Sequence, residues 1–204
     1  MFDLPKSTEI RKPIHKKLIY EKFPTDLSGD RKTRFDEDIS RIVITNEISE
    51  NSVNIRGTDE IPAIFVVQIE LKTKEYNDRN IILASRLFGQ KLLLALHYEE
   101  EYQLAIYETQ LLKSEWQREE EIKLHINGLD LGTVWNSFVT AVSGISASDG
   151  NTLAEQITIE AEKEKLRKQI VDLERRARNE VQSKKKYDLF QQIRELDKRL
   201  GDKG

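Results

Sequence analysis

The chain has 204 residues, 38% apolar and 34% charged, with a formal net charge of −3 and no cysteine. That charge content exceeds the roughly 25% of an average globular chain, and the lack of cysteine excludes disulfides, thiolate catalysis and cysteine-ligated zinc. No apolar run approaches the ~20 residues of a membrane span, and the opening MFDLPKSTEIRKP lacks a secretory signal core, so a cytoplasmic protein with no membrane contact is expected.

Pro5 and Pro13 make residues 1–13 extended. Ile14, Leu18, Ile19 and Phe23 fall at helical spacing, and Pro24 stops that helix. Phe35, Ile39 and Ile42 predict a second helix running into Arg41, with Asp26 or Ser28 as its cap. The β-branched run Ile42–Ile48 favours a strand. Residues 49–60 are polar and read as a connection with a short strand at Val53–Ile55.

The most concentrated apolar run is Ile61–Lys72, IPAIFVVQIELK. At period two, Phe65, Val67, Ile69 and Leu71 share one face. Val66, Gln68, Glu70 and Lys72 share the other, which turns from apolar to charged along the strand. Asn80–Phe88 is helical in composition, with Gly89 as a stop. Lys91–Tyr98 and Tyr102–Tyr107 then form a hairpin across Glu99-Glu100-Glu101, its first arm apolar on both faces like an interior strand. Residues 108–121 are strongly charged around Trp116, and Ile122–Ile126 alternates like a further strand. Leu131, Trp135, Phe138, Val139, Val142 and Ile145 lie on one helical stripe.

Gly144–Gly150 is small and polar, and the charge balance changes across it. Residues 1–150 hold 19 Lys/Arg and 25 Asp/Glu, against 14 and 11 in residues 151–204. The expected organisation is therefore an α/β (or α+β) domain over 1–148, a linker at 149–151, and a charged helical hairpin over 152–204. In the tail, Leu166, Ile170, Leu173 and Ala177 follow 4-3-4 steps, as do Leu189, Ile193, Leu196 and Leu200. These are two coiled-coil seams. They are out of phase, which an antiparallel hairpin broken between Asn179 and Ser183 explains better than one long helix.

Leu4-Pro5-Lys6-Ser7-Thr8-Glu9, the Ile69-Glu70-Leu71-Lys72 strand end, the helix and strand pair after it, and the tail KKKYDLFQQIRELDKRL together resemble an uncharacterised bacterial domain-of-unknown-function family over nearly the whole chain. The resemblance implies a setting near restriction–modification, helicase and anti-phage genes, where members of that family tend to sit. The resemblance implies context and architecture rather than catalytic residues. The tail alone looks like the short helical-hairpin module of bacterial nucleotide-excision repair proteins, which binds partner proteins.

Two functional readings follow. In the first, the chain is a non-catalytic subunit or adaptor of a DNA-acting, anti-phage or restriction-type complex. It docks a helicase, methyltransferase or nuclease subunit through Leu166, Ile170, Leu173, Leu189, Ile193 and Leu196, because a lone helix cannot bury such a seam. A second copy of the chain is the other way to cover it. The basic cluster Arg175, Arg176, Arg178, Lys184, Lys185 and Lys186 would gather at the bend, where it could meet phosphates or an acidic partner. Dispersed Glu174, Glu180 and Asp188 also make it an ordinary solvated face. Any DNA contact is then indirect, and no cofactor is needed.

In the second reading the chain is itself a Mg²⁺-dependent nuclease of the restriction-endonuclease-like class. Asp59 and Glu70 would hold the ion and Lys72 would stabilise charge beside the attacking water. The same Glu-x-Lys is equally a solvated strand end with a surface ion pair. His15, His97 and His125 are too scattered for a zinc site, and His97 reads as a hydrogen-bonded strand residue. No metal site is expected outside the nuclease reading.

Overall fold

A computed structural model describes residues 1–146 and 151–202. β3 (Ala63–Leu71) lies inside a sheet whose spatial order is its chain order. β1 (Glu9–Ile14) and β2 (Ile39–Ser49) lie on one side of it. β4 (Lys91–Tyr98), β5 (Glu101–Tyr107) and β6 (Leu111–Arg118) lie on the other. β3 and β4 run parallel and every other neighbouring pair is antiparallel. A parallel pair needs a crossover, and α4 (Asp78–Ser85) supplies it. With α1 (Lys16–Lys22), α2 (Asp30–Asp38), α3 (Glu50–Val53), α5 (Leu131–Ser143), α6 (Leu153–Asn179) and α7 (Ser183–Gly201), the described residues form an α+β structure. It combines a mixed six-stranded sheet with seven α-helices.

The alternation in β3 builds the core. Val67, Ile69 and Leu71 are buried with Ile42 and Ile44 of β2 and Leu92, Leu94 and Leu96 of β4. Ile19 of α1, Phe35 of α2 and Ile81 and Ala84 of α4 cover that face. On the other face α5 packs against β3, β5 and β6, burying Val134, Trp135, Phe138, Val139 and Val142. Asp130 caps α5 by accepting from the Thr133 N–H at 2.7 Å. Gly144 closes it at φ 72°, a left-handed conformation that glycine adopts without steric cost. Helices on opposite sides thus bury both faces of β3 and β4 except toward their C-terminal ends, where Gln68, Glu70 and His97 are only partly buried.

β2 carries two register shifts against β3, between Ile39 and Arg41 and between Ile44 and Asn46. Each inserts one residue, and one residue reverses which face the following side chains take. The first shift brings Arg41 beside Glu70. The second brings Asn46 beside Val66, away from the helix-covered core that holds Ile42 and Ile44.

The chain divides into two compact units, the first Met1–Ser146 and the second its C-terminal remainder. The linker expected at 149–151 falls mostly outside the described residues. In the second unit Thr152 caps α6 in a capping box with Glu155: the Glu155 N–H donates to Thr152 Oγ1 at 3.3 Å, and the Thr152 N–H donates to Glu155 Oε2 at 2.7 Å. The helix stops at Asn179, Glu180 is extended, and α7 begins at Ser183. Gln182, not Ser183, occupies the cap position. The two helices pack together as a hairpin: Ile170, Ala177 and Ile193 are buried, with Leu173, Leu189, Leu196 and Leu200 packed on them.

Several expectations in the first unit are corrected. The second helix does not run into Arg41: α2 ends at Asp38, Ile39 and Ile42 belong to β2, and Gly29 rather than Asp26 or Ser28 takes the cap position. Residues 111–118, read only as strongly charged and assigned no element, are β6: an edge strand exposes one rim and tolerates charge. Residues 122–126 form no strand; Leu124 instead donates its N–H to the Phe2 carbonyl at 3.0 Å. Val53–Ile55 is not a strand either. α3 ends there, with Asn54 left-handed at φ 56°, a conformation asparagine tolerates.

Candidate functional site

The face of β3 left free of helices at its C-terminal end carries a polar row. Register places Arg41 of β2, Glu70 of β3, His97 of β4 and Tyr102 of β5 side by side. Glu70 Oε2 lies 2.7 Å from His97 Nδ1, and Gln68 Nε2 donates to Glu70 Oε1 at 2.5 Å. A carboxylate only accepts, so His97 Nδ1 is the donor of this contact. The imidazole stacks on Tyr102, centroids 4.3 Å apart, and Phe2 meets the Tyr102 ring edge-on at 5.2 Å. Burial pushes the Tyr102 phenol up to about 12, and the charges of Glu119 and Glu70 add to the shift.

Beside this row is a cavity of about 330 Å³ bordered by Arg41, Asn46, Gln68, Glu70, Tyr102 and Glu119. Asn46 is almost fully buried. Its Nδ2 donates to Thr8 Oγ1 at 2.8 Å, and Thr8 Oγ1 donates to the Pro5 carbonyl at 2.7 Å. Because the Thr8 hydrogen is already committed, Asn46 Oδ1 points the other way, and among the described residues it has no partner. Arg11, at the β1 register shift, also borders the cavity and holds φ 46°. The charged groups around the cavity balance: the Met1 amine, Arg11 and Arg41 against Glu9, Glu70 and Glu119. Its lining therefore carries no net formal charge.

The three residues expected to form a nuclease centre are not brought together. Asp59 is exposed in the tight turn between Thr58 and Ile61, before β3 begins. Glu70 lies seven steps beyond Ala63, near the other end of the strand, so the extended strand separates the two carboxylates instead of setting them across one ion. Glu70 is instead engaged by His97 and Gln68. Lys72 lies past the strand end, exposed, and its backbone N–H donates to the Asp38 carbonyl at 2.9 Å. Among the described residues no three His, Asp or Glu side chains converge to hold a metal ion.

The expected docking residues lie elsewhere. Ile170, Leu173, Leu189, Ile193 and Leu196 face one another inside the hairpin, and Leu166 is buried as well. A partner of the hairpin would therefore meet its outer surface rather than this seam. Tyr187 and Phe190, one turn apart on α7, are 62% and 47% exposed, and Val181 at the bend is 92% exposed. The bend also gathers the basic cluster: Arg175, Arg176 and Arg178 close α6, and Lys184, Lys185 and Lys186 open α7. Of these, Arg175 pairs with Asp172 at 2.8 Å.

Arg41 and Asn46 were not among the expected site residues. Their placement depends on the two β2 register shifts, which no sequence period announces. Among the described residues no helix is long and apolar enough to cross a membrane.

Fold and site together define an α+β domain on a mixed six-stranded sheet, followed by a packed helical pair. The chain belongs to the family described as Domain of unknown function (DUF4391), whose model matches residues 2–200. The resemblance to an uncharacterised domain family thus holds over nearly the whole chain. No curated protein and no solved structure matches it.

Proposed function

We propose that this chain is a non-catalytic subunit that docks a protein partner with the bend and outer face of its α6–α7 hairpin. The observation that carries the reading is the combination of a closed seam and an apolar exterior. The hairpin already buries Ile170, Ala177 and Ile193 internally, so Val181, Tyr187 and Phe190 are not needed to hold it together. Aromatic side chains set beside arginines are the composition of interface hot spots. Arg176 and Arg178 at the end of α6 and Lys184 and Lys185 at the start of α7 favour an acidic partner surface. By family resemblance the partner is a helicase, methyltransferase or nuclease subunit of a DNA-acting defence assembly in the cytoplasm. The chain itself then needs no cofactor.

The test is affinity purification of the full chain from its own host, beside a Tyr187→Ser, Phe190→Ser double variant. A stoichiometric partner recovered by the wild type and lost by the variant, with helicity unchanged by circular dichroism, supports the reading. Equal recovery by both chains overturns it. Light scattering of the purified chain adds one outcome: a mass twice the 23.8 kDa of the monomer, halved by the substitutions, would put a second copy on this face instead.

A further inference from the structure

α2 and α4 lie on the same face of the sheet and enclose a cavity of about 270 Å³. Its chemistry is unusual for an acidic unit. Arg79, Ile82 and Leu83 of α4 and its C-cap Arg86 are spaced i, i+3, i+4 and i+7, which sets them along one side of the helix. The opposite stripe, Asn80, Ile81, Ala84 and Ser85, is the buried one. Arg31 and Arg34, one turn apart on α2, border the same cavity. Four guanidinium groups therefore surround it, with Asp26 as the carboxylate among its lining residues.

Among the described residues, the guanidinium groups of Arg31, Arg34 and Arg79 make no ion pair and no hydrogen bond. Arg86 is anchored: it donates to the Tyr107 hydroxyl at 2.6 Å and lies 4.8 Å from that ring's centroid. Within the same unit Lys16, Lys17, Lys74, Lys91 and Lys113 do meet carboxylates. The cavity is also preformed. Asp38, the last residue of α2, accepts from the Asn77 N–H at 2.8 Å and from Asn80 Nδ2 at 2.7 Å, which fixes the start of α4 against the end of α2.

We propose that this cavity binds a phosphate of a nucleic-acid backbone. Like charges facing one another repel, and an anion between them removes that cost. Guanidinium forks match the oxygens of a phosphate in a bidentate manner. The volume lies just below the ~300 Å³ at which pockets begin to hold whole small molecules, so one phosphate fits and a free nucleotide does not. Arginines spread along two open helix faces suit the successive phosphates of a polymer. The site is independent of the hairpin reading.

The test is fluorescence anisotropy of the full chain with a short labelled duplex and the matching single strand, each over a range of salt. Wild type is expected to bind at least one of them at low salt. Arg34→Gln with Arg79→Gln is expected to weaken that binding about tenfold. It should also flatten the slope of log Kd against log salt by about 1, for the one phosphate the cavity holds. Arg34→Lys with Arg79→Lys, which keeps charge but loses the fork, should fall between. Lys184→Gln with Lys185→Gln, at the hairpin bend, should leave binding unchanged. Thermal melting of each variant reports the fold. The proposal is overturned if neither oligonucleotide binds. It is equally overturned if the bend substitutions abolish binding while the cavity substitutions do not, or if only inorganic phosphate or ATP binds.

Discussion

The pairing of Glu70 with His97 separates a structural carboxylate from a metal-binding one, and a double-mutant cycle measures it. Glu70→Ala leaves Gln68 Nε2 and His97 Nδ1 without their shared acceptor. His97→Ala removes the same contact and also the stacking on Tyr102, but the cycle cancels what the single changes do not share. A hydrogen bond to a charged group contributes about 1.5–3 kcal/mol. Glu70 is 33% exposed and His97 22%, so solvent screening brings the expected coupling down to about 1 kcal/mol. The assay is urea unfolding of the wild type, both single variants and the double variant, with and without Mg²⁺. The reasoning is refuted if the two changes are additive within about 0.3 kcal/mol. It is refuted differently if Mg²⁺ stabilises the wild type and Glu70→Ala removes that stabilisation.

Three further outcomes are expected. Ile69 is fully buried between β2, β4 and the helix layer, so Ile69→Ala should cost about 3 kcal/mol in urea unfolding, against under about 1 kcal/mol for Gln68→Ala one position away. For Asp36, burial pushes the carboxyl upward, but hydrogen bonds from Lys16 and Tyr20 and the charges of Lys16 and Lys32 outweigh it and hold the pKa below the usual value. A depressed folded pKa stabilises above the unfolded value, so the stability gap between wild type and Asp36→Asn should shrink as pH falls below about 4. Thermal melts across that range measure it. Tyr102 titrates near 12 in the folded chain and near 10 when unfolded. Its contribution is therefore complete below about pH 10 and is lost as pH rises toward 12. Tyr102→Phe should lose less stability than wild type over that interval.

The parts of this fold legible in the sequence are those set by local periodicity. The period-two run of β3 names its own core face, and the apolar arms of β4 and β5 flank an acidic turn. The α5 stripe and the out-of-phase seams of α6 and α7 are equally local. What was not legible depends on neighbours. β6 is charged because it is an edge strand, and nothing within residues 111–118 says that β5 lies beside it. The same holds for the polar row. Arg41 and Asn46 reach it through single-residue insertions in β2, and His97 gains its role only once parallel pairing puts it beside Glu70. Spacing along the chain brought Asp59 and Glu70 within eleven residues, yet an extended strand converts that spacing into distance. The cavity arginines were each readable as ordinary surface charge, because only the packing of α2 and α4 on one sheet face makes them converge.

The account turns on the hairpin closing upon itself, since that is what leaves its outer face for a partner. The chain has no cysteine, so Ile170→Cys with Ile193→Cys introduces a single candidate pair across the seam. Mild oxidation followed by non-reducing electrophoresis should give an intrachain bridge, monomeric in mass and formed to the same extent at every protein concentration. A crosslinked dimer whose yield rises with concentration would mean that the seam is shared between chains, and would contradict the account.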